Sequence, residues 1–208
     1  MHRYRHITLP AMTTPPDETT LVGAAQPMRR RSRVLGFTLI ELMVTIAVGV
    51  VLVLVAAPNL IQFRKNAQLS DAVSNLILAT GTAKSAALKT GRDTYVVLNN
   101  STLGWSSGWF VFVDNNWNQQ YDAGTDDVLL SHDAISSDVT ITTPGTTAFS
   151  AGYVLFNGSG FPKTKAGGVG NGTLVMALPP PGRSSSIVID TAGRVRSCTP
   201  VTAGCTAF

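Results

Sequence analysis

The sequence offers little material for a catalytic centre. It contains three histidines and two cysteines in 208 residues, and after residue 36 the only histidine is His132. A catalytic nucleophile needs a base beside it, and a zinc ion needs three or four ligands of this kind. Asn157-Gly-Ser-Gly160 does not match G-x-S-x-G. We therefore expect no enzyme, with no catalytic residue, no metal site and no cofactor.

Net charge is also low once the N-terminus is set aside. The whole chain has a formal charge of +4, but residues 1–36 hold six of the sixteen basic and two of the twelve acidic residues. The remainder carries ten of each and is neutral. The basic balance therefore gives no argument for nucleic-acid binding by the bulk of the chain, and any such binding has to come from a local patch.

One long apolar run dominates what the sequence does contain. Phe37–Ala57 has 21 residues, and Glu41 is its only ionisable side chain. As a helix it would be about 31 Å long at roughly 1.5 Å per residue, close to the ~30 Å of bilayer hydrocarbon. Four arginines lie just before it, within Arg29–Arg33, with no acid among them. A basic flank stays cytoplasmic, so we expect the chain after Ala57 to lie on the far side of the membrane.

A carboxylate near the end of a spanning helix is costly and usually functional. Gly36-Phe-Thr-Leu-Ile-Glu41 resembles the processing site of type IV prepilins and type II secretion pseudopilins. The resemblance implies that a prepilin peptidase of the inner membrane cuts after Gly36 and methylates the new amine of Phe37. It also implies that Glu41 meets the amine of a neighbouring subunit when the helices bundle in a filament. The alternative is an ordinary single-pass anchor or an uncleaved signal.

Residues 1–36 are then a leader, and they are set aside from fold reasoning. Residues 1–27 are rich in Pro and Thr and have no apolar period, whereas Met28 opens a compact basic leader that ends at Gly36. We therefore expect translation to start at Met28.

A helix is predicted to continue from the apolar run to about Thr90. Pro58 is expected to kink or loosen it, and Gly91 to end it. Its second half, 58–90, is amphipathic, with apolar or small side chains at helical spacing: Leu60, Phe63, Ala67, Leu69, Ala72, Val73, Leu76, Thr80, Ala83 and Ala87.

After Thr90 the pattern changes to short β-branched or aromatic runs separated by turn residues. Trp105–Asn118 and Ile189–Cys198 are similar to the W-x-x-G…V-F-x-D-x-N and G-R-x-R-x-C stretches of the GspH/FimT family. We therefore predict an α+β, pilin-like fold: a long N-terminal helix whose hydrophobic half, 37–57, spans the membrane, then a small antiparallel β-sandwich in a periplasmic domain, 91–208. The strands are predicted at Thr94–Leu98, Gly108–Val113, Val128–Ser131, Val139–Thr142, Tyr153–Phe156, Thr173–Ala177, Ser186–Ile189 and Arg194–Ser197.

The two cysteines are predicted to form a disulfide. A translocated domain lies in a compartment where disulfides persist, and a pair that closes a short loop at a chain end is typical of one. The alternatives are a metal pair or a redox pair. Cys198 and Cys205 lack the C-x-x-C spacing of such pairs, and no histidine lies near them.

Arg194 and Arg196 are the sharpest candidates for a binding site. On a strand they lie on one face, some 6–7 Å apart, with Val195 on the other face, and this roughly matches successive phosphates of a DNA strand. In FimT-type pilins the G-R-x-R tail is associated with DNA capture, which makes DNA a candidate partner. The alternative is that the two arginines solvate an edge strand. Further DNA-binding candidates, on loops that flank the last strands, are Arg183, Lys163 and Lys165.

Three other features have plain structural interpretations. Asp114-Asn-Asn-Trp-Asn118 looks like a calcium loop, but Gln119 and Thr125 stand where that loop has Gly and Glu, so an Asn/Asp-rich hairpin connection is expected. Gly167–Gly172 matches neither a dinucleotide-binding motif nor a P-loop and is expected to be a flexible loop. Stacking on nucleic-acid bases is one alternative for the three tryptophans, but we expect all of them to fill the sandwich core: Trp105, Trp109 and Trp117.

Together these features favour a minor type IV pilin, FimT-like, built into a pilus with other pilins, with DNA uptake as a candidate role. The alternative within the same architecture is a minor pseudopilin of type II secretion, because leader, helix and fold are shared. A membrane-anchored binding protein of another class would keep residues 1–36 in cells that contain the peptidase.

Overall fold

The computed structural model describes residues 36–145, 149–200 and 205. The chain falls into two compact units, and their boundary lies between Val44 and Thr45, inside helix α1. Helix α1 spans Leu39–Thr90, 52 residues, and continues past Pro58 as predicted. In the first unit the described residues are 36–44, which comprise the segment before α1 and the first turns of that helix. The predicted leader, apart from Gly36, and the predicted start at Met28 lie outside the described residues.

Local chemistry sets both ends of α1. The hydroxyl of Thr38 accepts a hydrogen bond from the backbone N–H of Glu41 (3.2 Å), and its carbonyl accepts one from the N–H of Leu42 (3.1 Å). This N-cap satisfies donors that a helix leaves unpaired at its start. At the other end Gly91 adopts φ +67° and its N–H donates to the carbonyl of Ala87 (2.8 Å). Glycine enters this left-handed motif without steric cost, so α1 ends where the sequence predicts.

The second half of α1 turns one face towards the sheets. The prediction is wrong at its first positions: Leu60 and Phe63 are 59% and 68% exposed, and Ala67 is exposed as well. The reason is that the core contacts α1 only from Leu69 onward. The hydroxyl of the buried Thr80 donates to the carbonyls of Leu76 (3.1 Å) and Ile77 (2.8 Å). The predicted positions that are buried are Leu69, Ala72, Val73, Leu76, Thr80, Ala83 and Ala87.

The strands of the described residues follow α1 in order. The predicted strands are all present, with bounds shifted by at most two residues. A turn of 3-10 helix at Gly104–Ser107 and the two-residue β6 are not predicted from the sequence, because both are too short to show a period. The strands are β1 Thr94–Leu98, β2 Trp109–Val113, β3 Asp127–His132, β4 Thr140–Thr142, β5 Tyr153–Phe156, β6 Pro162–Lys163, β7 Gly172–Ala177, β8 Ser184–Ile189 and β9 Val195–Cys198.

These strands form two antiparallel sheets. One has five strands in the order β3-β2-β1-β5-β6, and the other has four in the order β4-β7-β8-β9. A register shift between Val111 and Phe112 leaves Leu129 of β3 as an extra residue opposite β2, a β-bulge at the edge of the sheet. The fold class, a long helix followed by antiparallel sheets, is confirmed.

One hydrophobic core joins α1 to both sheets. It contains the buried helix face together with Val96, Val111 and Phe156 of the five-stranded sheet and Leu174 and Ile187 of the four-stranded sheet. A second, smaller cluster lies on the other face of the five-stranded sheet. It consists of Tyr95, Phe112 and Leu155, with Val97, Phe110 and Tyr153 packed beside them.

Candidate functional site

The predicted processing site is accessible. Phe37 is 77% exposed, and a Cβ built on Gly36 would have nothing within 4 Å. Glu41 is the third residue of α1, and Thr38-x-x-Glu41 has the spacing of a capping box. An acid in the first turn also interacts favourably with the helix dipole. The position of Glu41 therefore has a local physical reason beside the one that the resemblance implies.

The first half of α1 presents apolar side chains on all sides. Every large apolar residue from Phe37 to Leu54 is more than half exposed. By length and composition, α1 is the one helix among the described residues that is long and apolar enough to cross a membrane. An exposed apolar surface of this length is typical of a helix that is covered by lipid or by other apolar helices.

The turn before β9 is tightly hydrogen-bonded. The Oδ1 atom of Asp190 accepts bonds from the backbone N–H groups of Ala192 (3.1 Å) and Arg194 (2.9 Å). The N–H of Gly193, at φ +74°, donates to the carbonyl of Asp190 (2.9 Å). The bond from the backbone N–H of Arg194, with smaller contributions from the Arg194 side chain and the N–H of Ala192, holds the pKa of the Asp190 carboxyl below its ordinary value. The turn is thus preorganised in front of the arginines.

Lys84 supports this turn from helix α1. Its Nζ atom donates to the carbonyls of Gly193 (2.8 Å) and Ala192 (3.4 Å). A Cβ added to Gly193 would lie 2.8 Å from the carbonyl oxygen of Gly160, so the turn also packs closely against the loop before β6. Sequence reasoning missed Lys84, because nothing local relates a helical lysine to a turn 108 or 109 residues later.

Arg194 and Arg196 flank Val195 at the start of β9, an edge strand of its sheet. Val195 packs against the core, as the alternation predicts. Arg194 is exposed, and its Nε lies 3.0 Å from the Oδ2 atom of Asp190 in an ion pair. Arg196 is half-buried opposite Val188 of β8. The charge of Arg194 is therefore partly compensated within the chain.

The other predicted cations lie apart from this pair. Lys165 is over the rings of Tyr95 (5.6 Å) and Tyr153 (5.3 Å), where its ammonium group also donates to the carbonyl of Gln119 (2.6 Å). Arg183 precedes β8, five residues from Val188, or about 17 Å along the strand. Its N–H donates to Asn66 of α1 (3.4 Å).

Lys163 is in β6, opposite Leu155, on the other sheet from β9. Its neighbour Pro162 lies close to the Gly193 turn, since a Cβ on Gly193 would be 3.1 Å from the Pro162 ring. Among the three additional candidates, Lys163 is thus the one whose strand reaches the turn that carries Arg194.

The predicted disulfide is present. Cys198 and Cys205 are joined, with their Cα atoms 5.8 Å apart, and Cys205 is buried. Cys198 pairs with Ser186 of β8, two positions along the strand from Arg196, so both side chains belong to the same face of β9. The bond therefore holds the described part of the C-terminus on the sheet face that carries Arg196.

The Asn/Asp-rich loop uses its carboxylates to hold its own backbone. Asp114 accepts bonds from the N–H groups of Asn118 (3.3 Å) and Gln119 (2.8 Å), and Asp126 accepts them from Asn115 and Asp122 (2.8 Å each).

Burial, with the Asp114 carboxylate nearby, raises the pKa of Asp93. Over residues 36–145, 149–200 and 205, no group of three His, Cys, Asp or Glu side chains is placed to hold a metal ion.

The tryptophans divide between core and surface. Trp105 and Trp109 are buried, as predicted. The prediction is wrong for Trp117, which is 58% exposed at φ +63° and stacks with the guanidinium of Arg92 at 5.7 Å from the ring centre. Its loop leaves the sheet after β2, so the ring cannot reach the core.

Gly104-Trp-Ser-Ser-Gly108 matches G-x-S-x-G, the pattern around the nucleophilic serine of many hydrolases. The motif of hydrolases joins a strand to a following α-helix. Here it forms a 3-10 turn that leads into strand β2, and the Ser106 hydroxyl donates to the carbonyl of Leu103 (2.6 Å). The match therefore carries no catalytic geometry.

Two family models match the chain. The model described as "Type II transport protein GspH" matches residues 72–193, more than half of the chain, and "Prokaryotic N-terminal methylation motif" matches residues 31–57. The first match ends at Gly193, before both arginines. No match was found among curated proteins.

Solved structures of pilin-type proteins are similar to this chain. The type IV minor pilin FimU of Pseudomonas aeruginosa strain PAO1 is 18% identical, with 67% of this chain and 98% of that chain covered at a TM-score of 0.45. The minor pseudopilin EpsH from the Type 2 Secretion System of Vibrio cholerae is 11% identical, with 65% and 99% covered at a TM-score of 0.47.

Proposed function

Because the chain belongs to the type II transport protein GspH family of minor pilins and pseudopilins, we propose that it is a FimT-like minor pilin. It is cut after Gly36, methylated at Phe37 and built at low copy into a type IV pilus. The family is structural rather than enzymatic, so the work of the protein is assembly and binding.

The observation that carries the assembly proposal is the exposed apolar half of α1, headed by the methylation motif at 31–57. Before assembly this half spans the inner membrane, with the domain in the periplasm, as the basic flank before Gly36 favours. In the filament the same surface packs against the corresponding helices of other pilins.

Glu41 supplies the electrostatic part of this assembly. Cleavage by the peptidase creates a cationic amine at Phe37, and a carboxylate in an apolar bundle is tolerable only with such a partner. The partner is the amine of a neighbouring subunit. Glu41 is exposed within its own chain, which leaves it open to such a contact.

The test compares the mature N-terminus and the assembly of two variants. Intact-mass analysis should find a chain that begins with a methylated Phe37, and Glu41→Gln should be processed normally but lost from sheared pili. Asp71→Asn, which removes an exposed carboxyl farther along α1, should assemble as the wild type does. A different N-terminus, or normal assembly of Glu41→Gln, contradicts the proposal.

DNA contact is the second part of the proposal, and Arg194 and Arg196 carry it. Their positions at one end of an edge strand, behind a turn fixed by Asp190 and Lys84, support a preorganised site for two phosphates. Replacing both by Gln should weaken DNA binding and make the dependence of log K on log salt shallower by about two. Arg64→Gln combined with Lys89→Gln, which removes two exposed cations of α1, is the matched control. Unchanged binding in the double variant removes DNA from the proposal.

A minor pseudopilin of type II secretion is the second candidate function. The GspH match supports it as well as the pilus, because it covers most of the domain and the family includes both minor pilins and pseudopilins. Loss of the gene should be scored in parallel for twitching, transformation and exoprotein secretion. A transformation or twitching defect supports the pilus, whereas a secretion defect with normal transformation supports the pseudopilin.

A further inference from the structure

Phe161 presents an aromatic ring to solvent beside the turn that carries Arg194. It ends the connection from β5 to β6, residues 157–161, which we call the β5–β6 loop. The residue is 49% exposed, although Gly160 and Pro162 on either side of it are both buried. The neighbours of Phe161 thus anchor its backbone in the domain while its ring stays accessible.

Hydrogen bonds within the β5–β6 loop hold that ring in place. The Oδ1 atom of Asn157 accepts bonds from the backbone N–H groups of Phe161 (3.0 Å) and Ser159 (3.2 Å). The N–H of Asn157 donates to the carbonyl of Phe161 (3.0 Å), and the N–H of Gly160 donates to the carbonyl of Asn157 (2.7 Å). Because the loop is already ordered, a ligand that stacks on the ring loses little binding energy to loop ordering.

Two close approaches place Phe161 next to Arg194. A Cβ added to Gly193 would lie 2.8 Å from the carbonyl oxygen of Gly160 and 3.1 Å from the Pro162 ring. Phe161 stands between these two residues, and Arg194 directly follows Gly193. With standard bond lengths, the Cα atoms of Phe161 and Arg194 are within about 12 Å of each other. Two exposed side chains at this separation can contact one ligand.

The charge around the ring is mainly positive. Lys84 donates to the turn from α1 (2.8 Å), and Lys163 follows Phe161 by two positions in β6. The carboxylate of the turn, Asp190, is already paired with Arg194 and with backbone N–H groups. A ligand that reaches the ring therefore meets more positive than negative charge, which favours an anion.

The other exposed aromatic residues that the structure describes after Thr90 lack this combination. Trp117 lies in the Asn/Asp-rich loop and already has the guanidinium of Arg92 over its ring, at 5.7 Å. The ring of Tyr121 packs against Phe110, with their centres 5.1 Å apart. Over the described part of the chain, no aromatic ring or cation lies over the ring of Phe161.

We propose that Phe161 stacks on an unpaired base of a single-stranded nucleic acid while Arg194 pairs with a phosphate of the same strand. Aromatic side chains combined with cations along the backbone are how proteins bind single strands, and every base offers a face for stacking. In a duplex the base faces are covered by neighbouring pairs. The inference rests on the proposed DNA contact and adds its substrate class: single strands are preferred to duplex, without preference for a sequence.

Fluorescence anisotropy with the full chain in detergent tests this preference. The probes are a labelled single-stranded oligonucleotide and a blunt duplex of the same sequence with G·C pairs at both ends. The wild type should bind the single strand more tightly. Phe161→Leu stays apolar but lacks the ring, so it should weaken single-strand binding about fivefold or more and leave duplex binding unchanged. Equal loss on both probes, or no loss, overturns the proposal.

Two variants and the salt dependence tie this loss to the ring. Phe161→Trp keeps an aromatic face and should bind the single strand at least as well as the wild type. Trp117→Leu, which removes an exposed aromatic side chain elsewhere, should bind as the wild type does. Because Phe161→Leu removes no charge, its slope of log K on log salt should equal that of the wild type. A shallower slope, or a similar loss in Trp117→Leu, contradicts stacking on Phe161.

Photocross-linking locates the contact in the unmodified protein. A single-stranded oligonucleotide that carries 5-iodouracil is irradiated in complex with the wild type, and the attached peptides are identified by mass spectrometry. The peptide that contains Phe161 should be among them. Attachment to other peptides alone overturns the proposal.

The arginine variants separate this inference from the DNA proposal. If replacing Arg194 and Arg196 by Gln weakens binding to both probes while Phe161→Leu binds as the wild type does, the DNA contact stands and the stacking site is overturned. If the wild type binds neither probe, the DNA contact and the inference fail together.

Discussion

At the scale of single residues, Asp190 has two opposed effects on the arginine site. Its carboxylate fixes the turn through the backbone of Ala192 and Arg194, and it also neutralises part of the charge of Arg194. A phosphate that approaches Arg194 must compete with this internal partner. Asp190 therefore organises the site and weakens it at the same time.

Replacing Asp190 by Asn separates these effects, because the amide oxygen still accepts bonds from the turn while the negative charge is lost. We expect DNA to bind about 1.4- to fivefold more tightly, since an exposed ion pair is worth roughly 0.2–1 kcal/mol. Fluorescence anisotropy with a labelled oligonucleotide measures this. Asp138→Asn, which removes the ion pair with Lys65, is the matched control. If Asp190→Asn bound DNA more weakly, the contribution of the Asp190 carboxylate to the order of the turn would outweigh the effect of its negative charge on Arg194.

Asp93 makes the stability of the domain depend on pH. Its pKa is raised from 3.8 by burial and by Asp114, so the folded state disfavours its ionised form. The wild type therefore loses stability from this group as pH rises above 3.8 and through the raised pKa. Asp93→Asn should melt at a higher temperature than the wild type at pH 7, and the gain should shrink as the pH falls through the raised pKa and reach its minimum below 3.8.

Calorimetry of the full chain at several pH values measures this gain. Asp133→Asn, at an exposed carboxyl, controls for the general loss of one negative charge. A gain that is the same at every pH would exclude titration of Asp93 as its cause.

Contacts between individual side chains are the part of the structure that the sequence predicts least. Alternation places Val195 in the core and Arg194 and Arg196 opposite it, because that pattern is local. The pairing of Arg194 with Asp190 is local as well and could have been read from the turn. The contacts of Lys84 and Lys165 could not be predicted from the sequence, because each depends on how distant segments pack.

At the scale of elements, helix α1 contains two glycines with opposite energetic roles. Gly81 has helical geometry and open space around its Cβ position, whereas Gly91 ends the helix at φ +67°. Gly81→Ala should stabilise the protein by about 0.5–1 kcal/mol, because alanine loses less backbone entropy in a helix. Gly91→Ala should cost roughly 1 kcal/mol or more, since a side chain is strained there.

Denaturant unfolding of the full chain in detergent measures both changes, and each variant serves as the control for the other. If both substitutions changed the free energy of unfolding in the same direction, the opposite roles assigned to Gly81 and Gly91 would be contradicted.

Element boundaries follow the sequence well where chemistry is local. Thr38 and Gly91 mark the ends of α1 directly, and the strands coincide with β-branched runs. The amphipathic face is different: the spacing continues through Leu60, Phe63 and Ala67, but the domain reaches the helix only from Leu69. A period gives the direction of a face, and tertiary packing decides how much of that face is buried. The predicted kink at Pro58 stays a prediction.

At the scale of the whole molecule, the disulfide closes a loop with a sequence separation of seven at the end of the chain. By chain entropy such a loop stabilises the folded state by roughly 2–3 kcal/mol. Replacing both cysteines by Ala should lower the free energy of unfolding by that amount, measured by denaturant titration under oxidising conditions. Wild type with reductant should show a similar loss, and a wild type indifferent to reductant would contradict the estimate.

The neutrality of residues 37–208 bears on any DNA contact of the assembled protein. With ten basic and ten acidic residues, attraction of DNA over long distances is weak, so binding depends on the few cations at one turn. The weak long-range attraction of DNA could be predicted from the composition of the sequence. The composition does not show which strands lie near the turn: the strand of Lys163 reaches it from the other sheet through Pro162, whereas Arg183 lies about 17 Å along β8.

The place of β9 at the edge of its sheet also bears on folding. Because β9 follows β8 in the sequence, the ribosome delivers β8 before β9. Until residue 195 has been made, β8 keeps an unpaired edge that invites wrong pairing with other chains. Strand β9 thus covers this edge of β8, and the covalent bond to Cys205 secures it once the domain has reached a compartment where disulfides persist.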